Sequence, residues 1–359
     1  MADRNGAVDV TEFVVNQRNG VKGLVDVVSP KSLPPQYVQP PEELLSAGNI
    51  LAPGSSPVNV IDVSDWTDPR VAEEICEAAS TRGFFQIVGH GIPAEELHAL
   101  RAAARGFFGL AAEERKRYWR GDSVSETMWM TTSFNPYEEQ VLEWRDFVKF
   151  EYPETEDSAA TWPSVCKEQV IEHFKRIRPI AKKMLSILMI KLNSNMDDDQ
   201  ERTLMGTLRM NFNYYPECPN PELAAGVGRH SDINTLTILL QDDVVGGLYA
   251  RATEHGDKWI QVPPVEDALL VNIGDVLQIL SNDRYRSVEH RVTPNRVSRV
   301  SIPVFCGPVN DSVIEPLREA LEKGEMPRYK KIVYSDYLKS FFGKPHDGKR
   351  TMESIRIVS

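Results

Sequence analysis

Cysteine is scarce: the 359 residues hold four, Cys76, Cys166, Cys218 and Cys306, far apart and never as a C-x-x-C pair. That spacing excludes a zinc knuckle and a disulfide-stapled scaffold, and it points to free thiols in a reducing cytoplasm. Long apolar runs are missing as well. Stretches such as Met184 to Ile190 fall far short of the ~20 residues of a membrane span, and no basic segment followed by an apolar one opens the chain as a secretory signal would. Positive charge is in deficit, with 41 Lys and Arg against 52 Asp and Glu for a net charge of −11. This excludes a general attraction to nucleic acid or anionic membrane while leaving room for a local basic patch. Internal repeats and low-complexity tracts are absent, and 41% hydrophobic with 26% charged residues is ordinary globular composition. The expectation is a monomer of one or two domains with a large core.

Proline organises the first part of the chain. Pro30, Pro34, Pro35, Pro40, Pro41, Pro53 and Pro57 exclude a long helix or central strand over residues 28–57, so residues 1–57 are expected to form an extended arm. Residues 58–205 read as mostly helical. Asp68-Pro69 supplies an N-cap and an N1 proline, residues 94–119 are helical with a break near Gly109, and apolar positions recur at three and four from Lys167 to Leu192 around a kinking Pro179. Short strands are expected at residues 58–63 and 84–88. From about 206 to 310 the texture changes to short β-type runs punctuated by Gly, Pro, Asn and Asp, the pattern of a sandwich or barrel. Residues 311–359 return to helix.

The chemistry concentrates in that β-rich half. His230 and Asp232 stand two apart in Gly228-Arg229-His230-Ser231-Asp232, so extended backbone points both side chains to one face. His290 follows 60 residues later, far enough for several strands to carry it back. Two imidazoles and one carboxylate are the facial set of non-haem Fe(II), leaving half the octahedron open. An isolated H-x-D occurs by chance in surface loops. Arg299 and Ser301, on one face of a following strand, change the balance: together they can fork a carboxylate and add a hydroxyl donor, as a dicarboxylate co-substrate chelating the iron would require. A zinc hydrolase has no use for that pair. A non-catalytic jelly-roll module that binds a small ligand is the alternative of a different class.

Seven segments together resemble the plant 2-oxoglutarate- and Fe(II)-dependent dioxygenases: Gly83-Phe84-Phe85-Gln86, Gly89-His90-Gly91-Ile92-Pro93, Asn213-Tyr214-Tyr215-Pro216-Glu217-Cys218-Pro219, Gly228 to Asp232, Asn272-Ile273-Gly274-Asp275, Ser287 to Val292, and Arg299-Val300-Ser301-Ile302-Pro303. The resemblance spans nearly the whole chain. It implies a mixed α/β (α+β) fold with a double-stranded β-helix (jelly-roll) core flanked by helices. It also implies Fe(II) on His230, Asp232 and His290, and 2-oxoglutarate on Tyr215, Arg299 and Ser301 with Asn213 in support. O2 would be the oxidant and ascorbate a reductant. Asn19 to Leu24, Thr132-Ser133-Phe134, Leu142 to Asp146 and Pro345 to Lys349 are similar to feruloyl-CoA ortho-hydroxylases and coumarin (scopoletin-type) hydroxylases. Hydroxylases of benzoxazinoid glucosides and of melatonin are related alternatives.

The expected substrate is thus a small aromatic plant metabolite. Phe305 lies on the Arg299 strand face and is the expected stacking ring; Phe134, Trp129, Met130, Phe147 and Asn211 complete the expected pocket. Trp129, Phe134, Trp144 and Phe147 could equally be core. If the substrate is a CoA thioester, Arg145, Lys149 and Arg209 are candidates for its phosphates; the alternative for all three is ordinary solvated charge or a pair with Glu143 or Asp146. His90 is read as structural, and His98, His173 and His255 as solvated.

Overall fold

The structure is a computed structural model that describes residues 9–52, 54, 58–242, 246–252 and 255–357. The arm is more ordered than its prolines suggest. A π-turn at Glu12–Asn16 leads into helix α1 (Gly20–Val27), and only then do the prolines impose short 3-10 turns at Pro35–Tyr37 and Pro41–Glu43. Helix α1 depends on a distant residue. The Asp146 carboxylate accepts the N–H groups of Val21 and Lys22 at 2.9 and 2.8 Å, satisfying first-turn donors that no local cap reaches. Gly20 sits at φ +69°, and a Cβ there would lie 2.5 Å from that carboxylate. Pro53 and Pro57 of the expected arm lie outside the described residues.

The helices follow the expected periodicity. Helix α2 (Pro69–Thr81) is capped by Asp68, which accepts the Arg70 N–H; α3 (Ala94–Phe108) and α4 (Ala112–Lys116) flank the break at Gly109. Helix α5 (Lys167–Lys191) continues through Pro179, and α6 (Asp198–Met205) follows. His173 is not solvated: it is buried on α5, and its Nε2 has no hydrogen-bond partner. At 3.6 residues per turn position 173 falls within the stripe of Val170 and Ile177, so geometry overrides polarity.

Among the described residues, twelve strands make two packed sheets. They are β1 (Val60–Asp62), β2 (Phe84–Val88), β3 (Met128–Thr132), β4 (Asp146–Glu151), β5 (Thr207–Tyr215), β6 (Val227–His230), β7 (Leu236–Gln241), β8 (Leu248–Ala252), β9 (Lys258–Gln261), β10 (Leu269–Ile273), β11 (His290–Val292) and β12 (Arg299–Gly307). The larger sheet runs β1-β2-β10-β7-β12-β5-β4-β3 and the smaller β6-β11-β8-β9. Phe84, Leu270 and Leu239 of the larger sheet meet Val227, Leu248, Ile260 and Val292 of the smaller in one apolar cluster, the jelly-roll interior. Strands β3 and β4 lie where the sequence pattern predicts mostly helix. They extend the larger sheet beyond the division expected at residue 206, so the region before it contributes half of that sheet's strands. Helix α7 (Asp275–Leu280) crosses the core, and the tail carries a short strand pair, Val313–Ile314 with Ile332–Val333, before helices α8 (Tyr334–Phe342) and α9 (Arg350–Ser354).

Candidate active site

His230 ends β6 and His290 begins β11, and the two pair directly across the smaller sheet. Asp232, two residues past His230, turns its Oδ1 to within 3.7 Å of both Nε2 atoms. The three donor atoms lie within 4.8 Å of one another, the one such His/Cys/Asp/Glu cluster among the described residues. Each imidazole is oriented by its other nitrogen: His230 Nδ1–H donates to the Gly228 carbonyl at 2.8 Å and His290 Nδ1–H to the Val288 carbonyl at 3.2 Å. Both Nε2 lone pairs are thereby presented to an ion. Burial, reinforced by His290, pushes the His230 pKa well down and keeps its ring neutral, the form that ligates. Asp232 Oδ2 is held by the Thr237 hydroxyl at 2.6 Å and by the Asn272 amide, so Oδ1 is left for the metal.

Beside this triad lies a cationic niche with unpaired donors. Arg299 and Ser301 on β12 sit opposite Tyr215 and Asn213 on β5. The Tyr215 hydroxyl is 3.4 Å and the Asn213 amide 3.3 Å from Ser301 Oγ, and the Arg299 guanidinium lies 5.4 Å from the Tyr215 ring centre. Arg299 is only 1% exposed, yet its Nε and Nη1 have no partner, and Nη2 makes one contact with Gln241 Oε1 at 3.3 Å. Burial lowers the pKa of this guanidinium, while Tyr215 and Asp242 act in the opposite sense. A buried cation with orphan N–H groups costs ~1–3 kcal/mol per unmade bond unless an anion completes it. The niche therefore fits a carboxylate, and the triad fits a divalent iron.

The expected pocket residues fall in different places. Thr237, Phe305 and Arg209 occupy one register row, so Phe305 lies one strand from the residue that holds Asp232. Trp129, Lys149 and Asn211 form a neighbouring row on the same face, and Phe147 meets Trp129 edge-on at 5.7 Å. Met130 does not join them. The two-residue strand period sends it to the opposite, helix-covered face, where it is 1% exposed. Trp144 is core: fully buried, edge-on to Tyr37, with its indole N–H on the Pro216 carbonyl at 3.1 Å.

The C-terminal segment also reaches the site, through a residue not expected there. The His346 ring packs 4.5 Å from the ring of His230, at 19° between planes, and 3.8 Å from Phe134 on another contact. Its Nδ1 meets Glu143 Oε1 at 2.8 Å; the same oxygen accepts the Gly228 N–H at 2.7 Å, and Oε2 pairs with Arg145 at 2.7 Å. Arg145 continues to Asn213 Oδ1 at 3.1 Å. Arg145 is thus committed to a buried network and does not reach a ligand phosphate, because Glu143 lies on the same buried stretch. Gly348, at φ +77°, lets the segment pass beside β6; a Cβ there would stand 2.1 Å from Glu289 Oε1. Glu143 and His346 both stood within motifs of the sequence, but their 203-residue separation concealed the pairing. His90 is structural, its Nε2 at 2.9 Å from the Asp267 carbonyl, and His98 and His255 are exposed.

Comparison with known proteins decides the family. Residues 206–308 match the 2OG-Fe(II) oxygenase superfamily model, and residues 58–173 match the N-terminal model described for the non-haem dioxygenase in morphine synthesis. The chain belongs to the 2OG-Fe(II) oxygenases. It is 50% identical over 351 residues, 97% of each chain, to a bifunctional coumaroyl-CoA and feruloyl-CoA ortho-hydroxylase of Ipomoea batatas. It is 44% identical over 350 residues, 97% of this chain and 96% of the other, to a feruloyl-CoA ortho-hydroxylase of Arabidopsis thaliana. The crystal structure of JOX2 in complex with 2OG, Fe and JA superposes with a TM-score of 0.82 at 30% identity, covering 94% of this chain and 97% of that one. This 2OG-Fe(II) oxygenase is accordingly an oxidoreductase that uses Fe(II), 2-oxoglutarate and O2, and its jelly-roll core is that of the family.

Proposed function

We propose that this oxygenase hydroxylates the aromatic ring of a phenylpropanoid-CoA thioester, feruloyl- or coumaroyl-CoA, ortho to its side chain. The observation that carries the reading is end-to-end similarity, near 50%, to enzymes named for that reaction. It is supported by the intact His230/Asp232/His290 triad beside the buried Arg299, two of whose nitrogens lack a hydrogen-bond partner. In this reading His230, Asp232 and His290 hold the iron, and Arg299, Ser301 and Tyr215 hold the far carboxylate of 2-oxoglutarate, with Asn213 behind Ser301. Iron with 2-oxoglutarate and O2 supplies the oxidising power: one oxygen atom enters the ring and the other enters succinate, with release of CO2. Chain residues do the rest. Phe305 presents a flat apolar face beside the triad, Phe147 and Trp129 continue that wall, Asn211 adds a polar contact, and Phe134 closes the C-terminal side through His346. No described helix is long and apolar enough to cross a membrane. Four buried free thiols suit a reducing cytoplasm, and a net charge of −11 suits a monomer without nucleic-acid or membrane partners.

The test is to incubate the Fe(II)-loaded protein with 2-oxoglutarate and each of feruloyl-CoA, coumaroyl-CoA, scopoletin, a benzoxazinoid glucoside and melatonin. A singly oxygenated product from a CoA thioester, with succinate in equal amount, is expected. Coupled turnover of another member of the panel, with none of the thioesters, refutes the substrate assignment.

A further inference from the structure

Moving along the larger sheet away from the metal, the pocket face changes from buried and neutral to open and positively charged. Thr237 on β7, Phe305 on β12, Arg209 on β5 and Glu151 on β4 form one continuous register row. Their exposure climbs with distance from Asp232: Thr237 is buried, Phe305 half-buried, and the Arg209 and Glu151 side chains are 26% and 43% exposed. Lys149 stands one step along β4 on the same face and Trp129 opposite it on β3. Arg120 is exposed and lies 5.0 Å from the Trp129 ring centre, and the Lys149 ammonium lies 5.2 Å from it. Glu151 meets Lys149 at 2.6 Å and Arg209 at 3.9 Å. Two cations thus share one carboxylate and a third, Arg120, stands over the adjoining Trp129 ring, on a chain that is acidic overall. The crowding registers on Lys149, whose pKa is lowered first by burial and then by Arg209, with a further push from Arg120.

We propose that Arg120, Lys149 and Arg209 form a docking site for the phosphate groups of coenzyme A, an inference that rests on the thioester reading above and extends it. Spacing supports the assignment. With neighbouring strands about 4.8 Å apart, Arg209 lies roughly 5 Å, Lys149 roughly 10 Å and Trp129, with Arg120 over its ring, roughly 14 Å across the sheet from Phe305. The pantetheine arm between sulfur and diphosphate is about twelve bonds, equivalent to four extended residues or roughly 14 Å. The arm of a ring seated against Phe305 is therefore long enough to bring its diphosphate to the cationic rim, where a multiply charged anion offsets the repulsion among the three side chains. Arg120 and Arg209 offer guanidinium forks suited to phosphate oxygens, and Lys149 offers a point charge.

The test compares feruloyl-CoA with feruloyl-N-acetylcysteamine, a thioester without phosphates, on the Fe(II)-loaded full chain, for the wild type, Lys149→Gln, Arg209→Gln and the double variant. The expected result is a KM for feruloyl-CoA that rises roughly tenfold per removed charge. That for the truncated thioester rises far less, and the difference shrinks with added salt. Calorimetric titration with adenosine 3′,5′-bisphosphate reads the site without turnover, with binding by the wild type and none by the double variant. Parallel changes for both thioesters, or equal binding of the bisphosphate by wild type and double variant, overturn the site while leaving the thioester reading intact. Failure of the wild type to turn over either thioester overturns the thioester reading; absence of bisphosphate binding in that case overturns the site as well.

Discussion

Arg299→Lys isolates the role of the guanidinium, because it keeps the charge and removes the fork. In the structure two of the Arg299 nitrogens are buried without partners, ready for an incoming carboxylate. Two charge-assisted hydrogen bonds contribute ~1.5–3 kcal/mol each, and a lysine replaces one of them. The expected loss is one bond, which is about ten- to a hundredfold in affinity for 2-oxoglutarate at ~1.4 kcal/mol per factor of ten. Thermal unfolding of the anaerobic Fe(II) protein reads this directly. At ~2.1 cal/mol/K per residue, 359 residues give an unfolding entropy of about 0.75 kcal/mol/K. Ligand at a hundred times its Kd adds ~2.7 kcal/mol, or about 3.6 °C in Tm for the wild type. With Kd raised about thirtyfold the same concentration adds only ~0.9 kcal/mol, or about 1 °C. The KM for 2-oxoglutarate should rise in step, with little change in the KM for the aromatic substrate. A ligand-induced shift equal to that of the wild type, or equal increases in both KM values, would refute the role.

Other outcomes follow from the same geometry. Replacing His230, Asp232 or His290 by alanine removes one of three ligands, and the purified variants should carry little iron and show no coupled turnover; full iron occupancy with full activity would overturn the triad. Glu143→Gln leaves the buried Arg145 guanidinium unbalanced, so stability should fall by ~3–5 kcal/mol, about 4–7 °C in Tm, with weaker Co(II) binding as His346 loosens. His346→Phe, which keeps the ring stack on His230, should retain more Co(II) affinity than His346→Ala; the opposite order would count against that stack. Burial holds the His173 pKa down at about 3, against 6.5 for a free imidazole. The unfolded chain thus takes up a proton that the native chain refuses, and stability falls as pH drops below about 6.5. His173→Leu should remove about 1 kcal/mol of the loss between pH 6.5 and 5.5, visible as a shallower dependence of Tm on pH; an unchanged slope would contradict the assignment.

The sequence by itself determined the elements whose causes are local. The cap of α2 lies in Asp68-Pro69, the long α5 in its three-and-four spacing, and the shared face of His230 and Asp232 in the period of two. Arg299 and Ser301 were legible for the same reason, since residues two apart on a strand share a face whatever else the fold does. Tertiary structure decided what depends on partners far along the chain. Helix α1 relies on the Asp146 carboxylate more than a hundred residues away, so proline content alone misrepresented the arm. Strands β3 and β4 form because β5 supplies an edge to pair with, and that pairing also sets which of Trp129 and Met130 faces the pocket. His173 was misplaced because its polarity was weighed against its position on the helix, and burial by packing overrode polarity. The Glu143–His346 contact and the gathering of Arg120 and Lys149 over Trp129, with Arg209 near Lys149, arise from chain reversal. Separation along the sequence carries no signal of such contacts, because their energy comes from groups that meet only after the sheets have closed.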